Sequence, residues 1–110
     1  MGRFIRGDVV VVPFPFSDLS GTKKRPALVL VNLKGNDLIL CQITSQNIKD
    51  EYSIALSNND VIDGELKILS NIRPNKIFTT DESIILYKVC SLNEEKIVSV
   101  TKNVVDMFNL

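Results

Sequence analysis

The apolar positions of this chain fall in short runs divided by polar turns, until a final stretch where they recur at helical spacing. Residues 8–14, DVVVVPF, are β-branched and apolar and predict a buried strand. Pro13 and Pro15 lack a backbone donor, so they place the end of that strand at an edge or an exit. Residues 16–25, FSDLSGTKKR, read as a polar loop pivoting on Gly21, long enough to form one wall of a site. A second strand, PALVLVN, spans 26–32, and a third spans 37–43. Gly35 followed by Asn36 suits a two-residue turn closing them into an antiparallel hairpin.

Further strands are predicted over 52–56, 66–72, 76–80 and 84–90. The stretch SNNDVIDGEL between the first two of these is rich in turn formers, with Asp63-Gly64 the sharpest signal. Arg73-Pro74 repeats an arrangement seen at Arg25-Pro26, in which a cation is fixed at a strand boundary by the following proline. The last segment predicts a helix. Asn93 is a good N-cap, and Leu92 and Ile97 are spaced as a hydrophobic staple. Glu94 and Glu95 suit the first turn, and Ile97, Val100, Val104, Val105 and Phe108 form one apolar stripe for packing on the sheet. Short strands, tight turns and one terminal helix predict an α+β domain on a small, strongly curved antiparallel sheet or barrel.

Composition changes this picture little. A chain of 110 residues that is 45% hydrophobic suits one domain, residues 1–110, with a core of its own. No apolar run reaches the roughly 18 residues that span a bilayer. The opening MGRFIRGD lacks an apolar signal core, so a cytoplasmic location is expected, with no membrane partner. Cys41 and Cys90 each lie in an apolar strand run and are expected as buried reduced thiols, a disulfide or oligomer contact being the alternative.

Charge matters more. The net charge is zero, which argues against broad electrostatic binding to nucleic acid. Yet residues 1–49 hold seven Lys and Arg against three Asp and Glu, while residues 50–110 hold six against ten. A basic front half suits local binding of an anion. The chain has no histidine, which excludes a Ser-His-Asp triad, an imidazole base and a histidine metal ligand. Neither a phosphate-binding glycine loop nor an acidic metal cluster is present in the sequence, so no metal and no cofactor is expected.

What remains is a set of cations and hydroxyls. Arg25 sits at the mouth of the second strand, after Lys23 and Lys24. If strands 26–32 and 37–43 pair as a hairpin, Thr44, Ser45 and Gln46 return to the end of the sheet that carries Arg25. A guanidinium facing hydroxyls over a basic loop can hold a phosphate and stabilise charge on a phosphoryl oxygen. Ser17, Ser20, Thr22 and Arg73 extend the set. Several also have a plain reading: Arg25 as a surface arginine near a carboxylate, Arg73 as a structural residue, Thr44-Ser45 as turn residues, Lys23-Lys24 as a solvated loop.

Together, GDVVVVPFPFSDLSGTKKRPALVL, ILCQITSQ and LSNIRPNKIFTTDESII resemble the MazF/PemK family of toxins from type II toxin–antitoxin modules. The likeness runs in order from Gly7 to the terminal helix. It implies a small SH3-like antiparallel barrel (MazF/CcdB-like) with a C-terminal helix, in a homodimer. It implies a metal-independent endoribonuclease that cuts single-stranded RNA, often mRNA, at short sequences. Attack by the ribose 2′-hydroxyl would leave 2′,3′-cyclic phosphate and 5′-hydroxyl ends. A cognate antitoxin would cover the site, and DNA would be contacted only through that antitoxin. The resemblance assigns catalysis to Arg25 and Thr44. It assigns RNA contacts to Ser17, Ser20, Thr22, Lys23, Lys24, Ser45 and Gln46, and to Ser70, Asn71 and Arg73 on the opposite wall.

Several relatives carry an acidic residue where this chain has Ser70. That departure leaves a second reading open, a catalytically weak relative acting by binding, as a toxin–antitoxin regulator or a gyrase-type protein poison. A plain SH3-like adaptor is the third, though an adaptor has no use for the Arg-Pro and Thr-x-Gln motifs together.

Overall fold

The computed structural model describes residues 3–14, 23–46 and 50–110. Among the described residues, seven strands form one antiparallel sheet that curls into a half-barrel, followed by a single C-terminal helix. The strands are β1 (Asp8–Phe14), β2 (Lys23–Asn32), β3 (Asp37–Thr44), β4 (Ile54–Leu56), β5 (Val61–Gly64), β6 (Ser70–Asp81) and β7 (Tyr87–Leu92). The helix α1 spans Glu94–Phe108. Across the sheet the order is β4-β6-β3-β2-β1-β7-β5.

β1 lies near the middle of the sheet, and both of its faces are covered. Val9 belongs to a cluster with Leu28, Cys41, Ile43, Ile72 and Leu92. Val10 and Val12 belong to another, with Phe4, Ala27, Val29 and Leu40. That two-sided burial is why the strand reads as an unbroken apolar run rather than an alternating one. Pro13 is tolerated because, among the described residues, β7 pairs only with Asp8–Val11, so that ladder does not call on an N–H at Pro13. Phe14 meets Phe78 edge-on, with ring centroids 5.1 Å apart.

The start of β1 is fixed by Gly7 and Asp8. Gly7 has φ 97°; its N–H donates to Val29 O at 2.9 Å and its carbonyl accepts from Leu92 N at 3.0 Å. Asp8 is buried and accepts from Ile5 N at 3.0 Å and Ser91 Oγ at 3.1 Å, with Lys88 Nζ 3.5 Å away. A buried carboxylate is stable only when so partnered. The Gly-Asp opening therefore joins β2, β1 and β7.

The helix begins as expected. Asn93 Oδ1 accepts from Lys96 N at 2.8 Å, and Leu92 and Ile97 share one core cluster. Only Ile97 and Val100 of the apolar stripe are buried, while Val105 and Phe108 stay exposed. Val104 is partly buried, and the C-terminal half of the helix borders a shallow pocket with Tyr52 and with Pro74 of β6.

Several boundaries differ from the pattern reading. Lys23, Lys24 and Arg25 are not loop residues: they extend β2 and pair with Phe14, Pro13 and Val12. The β2–β3 turn closes through Leu33 N donating to Asp37 O at 2.9 Å, so Lys34, Gly35 and Asn36 lie inside it instead of two residues. Gly35 carries the positive φ, 85°, that such a turn needs. The predicted strands 66–72 and 76–80 are one strand, β6, starting at Ser70 and running through Pro74. Its pairing jumps from Gln42↔Arg73 to Cys41↔Ile77, and Pro74 sits in the resulting bulge, where a missing N–H costs nothing. Arg73 is thus inside a strand, not at a boundary.

Residues 58–64, expected as turns, form a short 3₁₀ turn and then β5 on the sheet edge. Gly64, φ 87°, is a strand residue: a Cβ there would lie 2.6 Å from Val89 O. Cys41 and Cys90 are buried and free, and burial pushes the Cys41 thiol up to about 12. Neither serves as a thiolate nucleophile at neutral pH.

Candidate active site

β2 and β3 pair antiparallel with Ala27 opposite Gln42. Carrying that register two residues further brings Arg25 level with Thr44. The hairpin does return the hydroxyls to the end of the sheet that bears Arg25. Both residues line a cavity of about 560 Å³. Its apolar floor includes Val9, Val11, Ile43 and Val89. Lys24 and Pro26 flank Arg25 on one side, and Ser45 and Gln46 continue from Thr44.

Arg25 is half-buried. Among the described residues, no hydrogen bond or ion pair engages its guanidinium, which leaves the planar fork open to a ligand. Thr44 Oγ1 accepts from Gln46 N at 3.1 Å, closing a small turn at the strand end. That bond uses the hydroxyl as acceptor and leaves its proton to donate.

The opposite wall is the connection between β5 and β6. Glu65, Leu66, Lys67 and Ile68 all line the cavity, together with Ser70 at the start of β6. Ser70 is buried, and its Oγ donates to Ile68 O at 2.9 Å. Tyr87 on β7 completes the rim. Of these, Glu65, Lys67 and Tyr87 were not singled out by the sequence. The only available signal was polarity near a turn, and their place at the cavity depends on the β5–β7 pairing, which the sequence pattern did not disclose.

The remaining expected contacts sit elsewhere. Lys23 is exposed at the start of β2 and does not line the cavity. Asn71 pairs with Thr44 in the sheet, and its Nδ2 donates to Gln46 O at 3.0 Å, bracing the turn after Thr44. Arg73 is held in an ion pair with Asp50 at 3.1 Å, and its Nε is buried with no partner. Backbone donation from Ser53, with further help from Tyr52 and Arg73, holds the Asp50 carboxyl below its usual range. Despite its similar sequence context, Arg73 is therefore engaged where Arg25 is not. Ser17, Ser20 and Thr22 lie outside the described residues.

A sequence profile for the PemK-like, MazF-like toxins of type II toxin–antitoxin systems matches residues 5–108. The chain belongs to this family. No curated protein matches the sequence. Solved structures share the fold at low identity. An endoribonuclease in complex with its cognate antitoxin from a mycobacterial species superposes with a TM-score of 0.76 at 12% identity, covering 97% of this chain and 96% of that one. MazF from a MazE–MazF crystal structure of Deinococcus radiodurans gives 0.76 at 17% identity, covering 97% of both chains. Toxin MazF-mt6 of Mycobacterium tuberculosis gives 0.69 at 12%, covering 94% and 97%. These likenesses establish the MazF fold, and the family membership makes the chain a toxin of a toxin–antitoxin module.

Proposed function

We propose that this toxin is a sequence-selective, metal-independent endoribonuclease that cuts single-stranded RNA, mostly mRNA, at the Arg25–Thr44 cavity. The observation that carries the reading is the meeting of Arg25 and Thr44 at one cavity mouth, with Lys24 beside them. An arginine free to form two parallel hydrogen bonds fits a phosphodiester. As the ribose 2′-oxygen attacks phosphorus, negative charge grows on the non-bridging oxygens. Arg25 stabilises that charge and donates a proton to the leaving 5′-oxygen, and Thr44 holds a non-bridging oxygen or orients the 2′-hydroxyl. The products are a 2′,3′-cyclic phosphate and a 5′-hydroxyl. Ser45, Gln46 and Lys24 line the same cavity, where they would contact the strand.

The structural relative bound to its antitoxin supports a matching partner here. An antitoxin segment would lie over the cavity, whose rim exposes Ile68 and Tyr87. A homodimer would cover further exposed apolar side chains. Among the described residues, no helix is long and apolar enough to cross a membrane.

The dependence on the 2′-hydroxyl gives a direct test. An RNA strand should be cut at discrete sites, and the all-deoxy strand of the same sequence should stay intact. Equal cleavage of both would refute the mechanism.

A further inference from the structure

An attack by a 2′-hydroxyl needs an acceptor for its proton, and the Arg25–Thr44 pair does not supply one. The resting guanidinium is already protonated, so it cannot accept that proton. A threonine or serine hydroxyl is too weak a base. The chain contains no histidine. Among the described residues lining the cavity, Glu65 is the one carboxylate. It shares the cavity lining with the cations Lys24, Arg25 and Lys67.

The position of Glu65 is built with care. It directly follows Gly64, the last residue of β5. The next residue, Leu66, is clamped at both backbone atoms by one side chain: its N–H donates to Asn58 Oδ1 at 2.7 Å, and Asn58 Nδ2 donates to its carbonyl at 2.7 Å. Asn58 opens a 3₁₀ turn that is itself held by a capping box. There Ser57 N donates to Asp60 Oδ2 at 3.0 Å and Asn59 N donates to Ser57 Oγ at 3.3 Å. On the far side, the Ser70 hydroxyl ties down Ile68 at 2.9 Å. A surface connection of five residues (65–69) with no secondary structure is thus fixed at both ends by side-chain bonds. These bonds fix the backbone that carries Glu65 at the cavity.

Resting on the ribonuclease reading, we propose that Glu65 is the general base of the reaction. Its carboxylate takes the proton of the 2′-hydroxyl as the 2′-oxygen bonds to phosphorus. The bond from phosphorus to the 5′-oxygen breaks, and that oxygen takes a proton from the Arg25 side. Solvent then returns the proton from Glu65 to the arginine, so the balance closes without a further reactant.

The test is Glu65→Gln, an isosteric change at an exposed position, measured beside the wild type and Glu65→Asp. Cleavage rates are followed across pH, and binding is read separately by fluorescence anisotropy with a 2′-O-methyl RNA that cannot be cut. The expected result is a rate loss of about 100- to 10,000-fold in Glu65→Gln, with unchanged binding. The wild-type rate falls in acid, and the variant loses that limb. Glu65→Asp recovers part of the rate. A Glu65→Gln rate within about threefold of wild type, with the same pH profile, overturns the base and leaves the ribonuclease reading standing. A loss of binding that matches the loss of rate also overturns it, making Glu65 an RNA contact. A folded wild type that cuts no RNA overturns both readings together.

Discussion

Arg25→Ala is expected to lower RNA cleavage by about 100- to 1,000-fold or more, with the fold intact. On the proposed mechanism, the guanidinium would offer a planar pair of donors to a phosphate that gains charge in the transition state, and no other described residue lining the cavity carries that group. The fold survives because Arg25 contributes to the sheet through its backbone, opposite Val12, and no described partner depends on its side chain. Stability should change by no more than about 0.5 kcal/mol, the usual range for such a site. Arg25→Lys separates charge from geometry. It keeps the positive charge but cannot form the bidentate contact, so its rate should fall between the two. Rates on a single-stranded RNA, paired with thermal melts, check all three proteins. Cleavage by Arg25→Ala at the wild-type rate would remove Arg25 from the site.

The largest loss of stability is expected from Gly64→Ala. Gly64 has φ 87°, in the region where an L-residue is strained by about 1–2 kcal/mol. The added Cβ would also lie 2.6 Å from Val89 O and 2.9 Å from Cys90 Cα, both backbone atoms of the neighbouring strand. A rotamer change cannot relieve a contact with backbone, so overpacking adds about 1–3 kcal/mol. The sum corresponds to a fall in Tm of about 10 °C or more for a domain of this size. Gly35→Ala is the control: its φ is 85°, but nothing lies within 4 Å of the added Cβ. It should lose only the strain. Equal melting points for the two variants would show that the β5–β7 approach is not as close as described. The site should suffer as well, because β5 can escape the clash only by leaving β7 and carrying Glu65 away from the cavity.

These two glycines also show what the sequence could and could not disclose. Asp63-Gly64 signalled a backbone that favours positive φ, and that is what Gly64 adopts. The residue types did not reveal that the glycine serves a strand pressed against another strand, so β5 read as a turn. Pro74 misled in a similar way. A proline in a strand pattern suggests a break, yet the bulge in β6 absorbs it. Local signals, by contrast, read true where nothing distant competed: the Asn93 cap, the apolar run of β1 and the return of Thr44 towards Arg25 all appear as expected.

The same limit applies to the site. The shared position of Arg25 and Thr44 was legible because one hairpin joins them. Glu65 was not, since it reaches the cavity through the pairing of β5 with β7 on the far side of the sheet. Arg25-Pro26 and Arg73-Pro74 look alike in sequence, and only the structure separates them. Asp50 engages Arg73, while no described residue engages Arg25.

The central claim, a ribonuclease centred on Arg25 and Thr44, is tested most directly by incubating purified, antitoxin-free toxin with a long single-stranded RNA in EDTA and mapping the product ends. Discrete cuts bearing 2′,3′-cyclic phosphate and 5′-hydroxyl termini are expected. No cutting by folded protein would contradict the claim and favour a toxin that acts by binding.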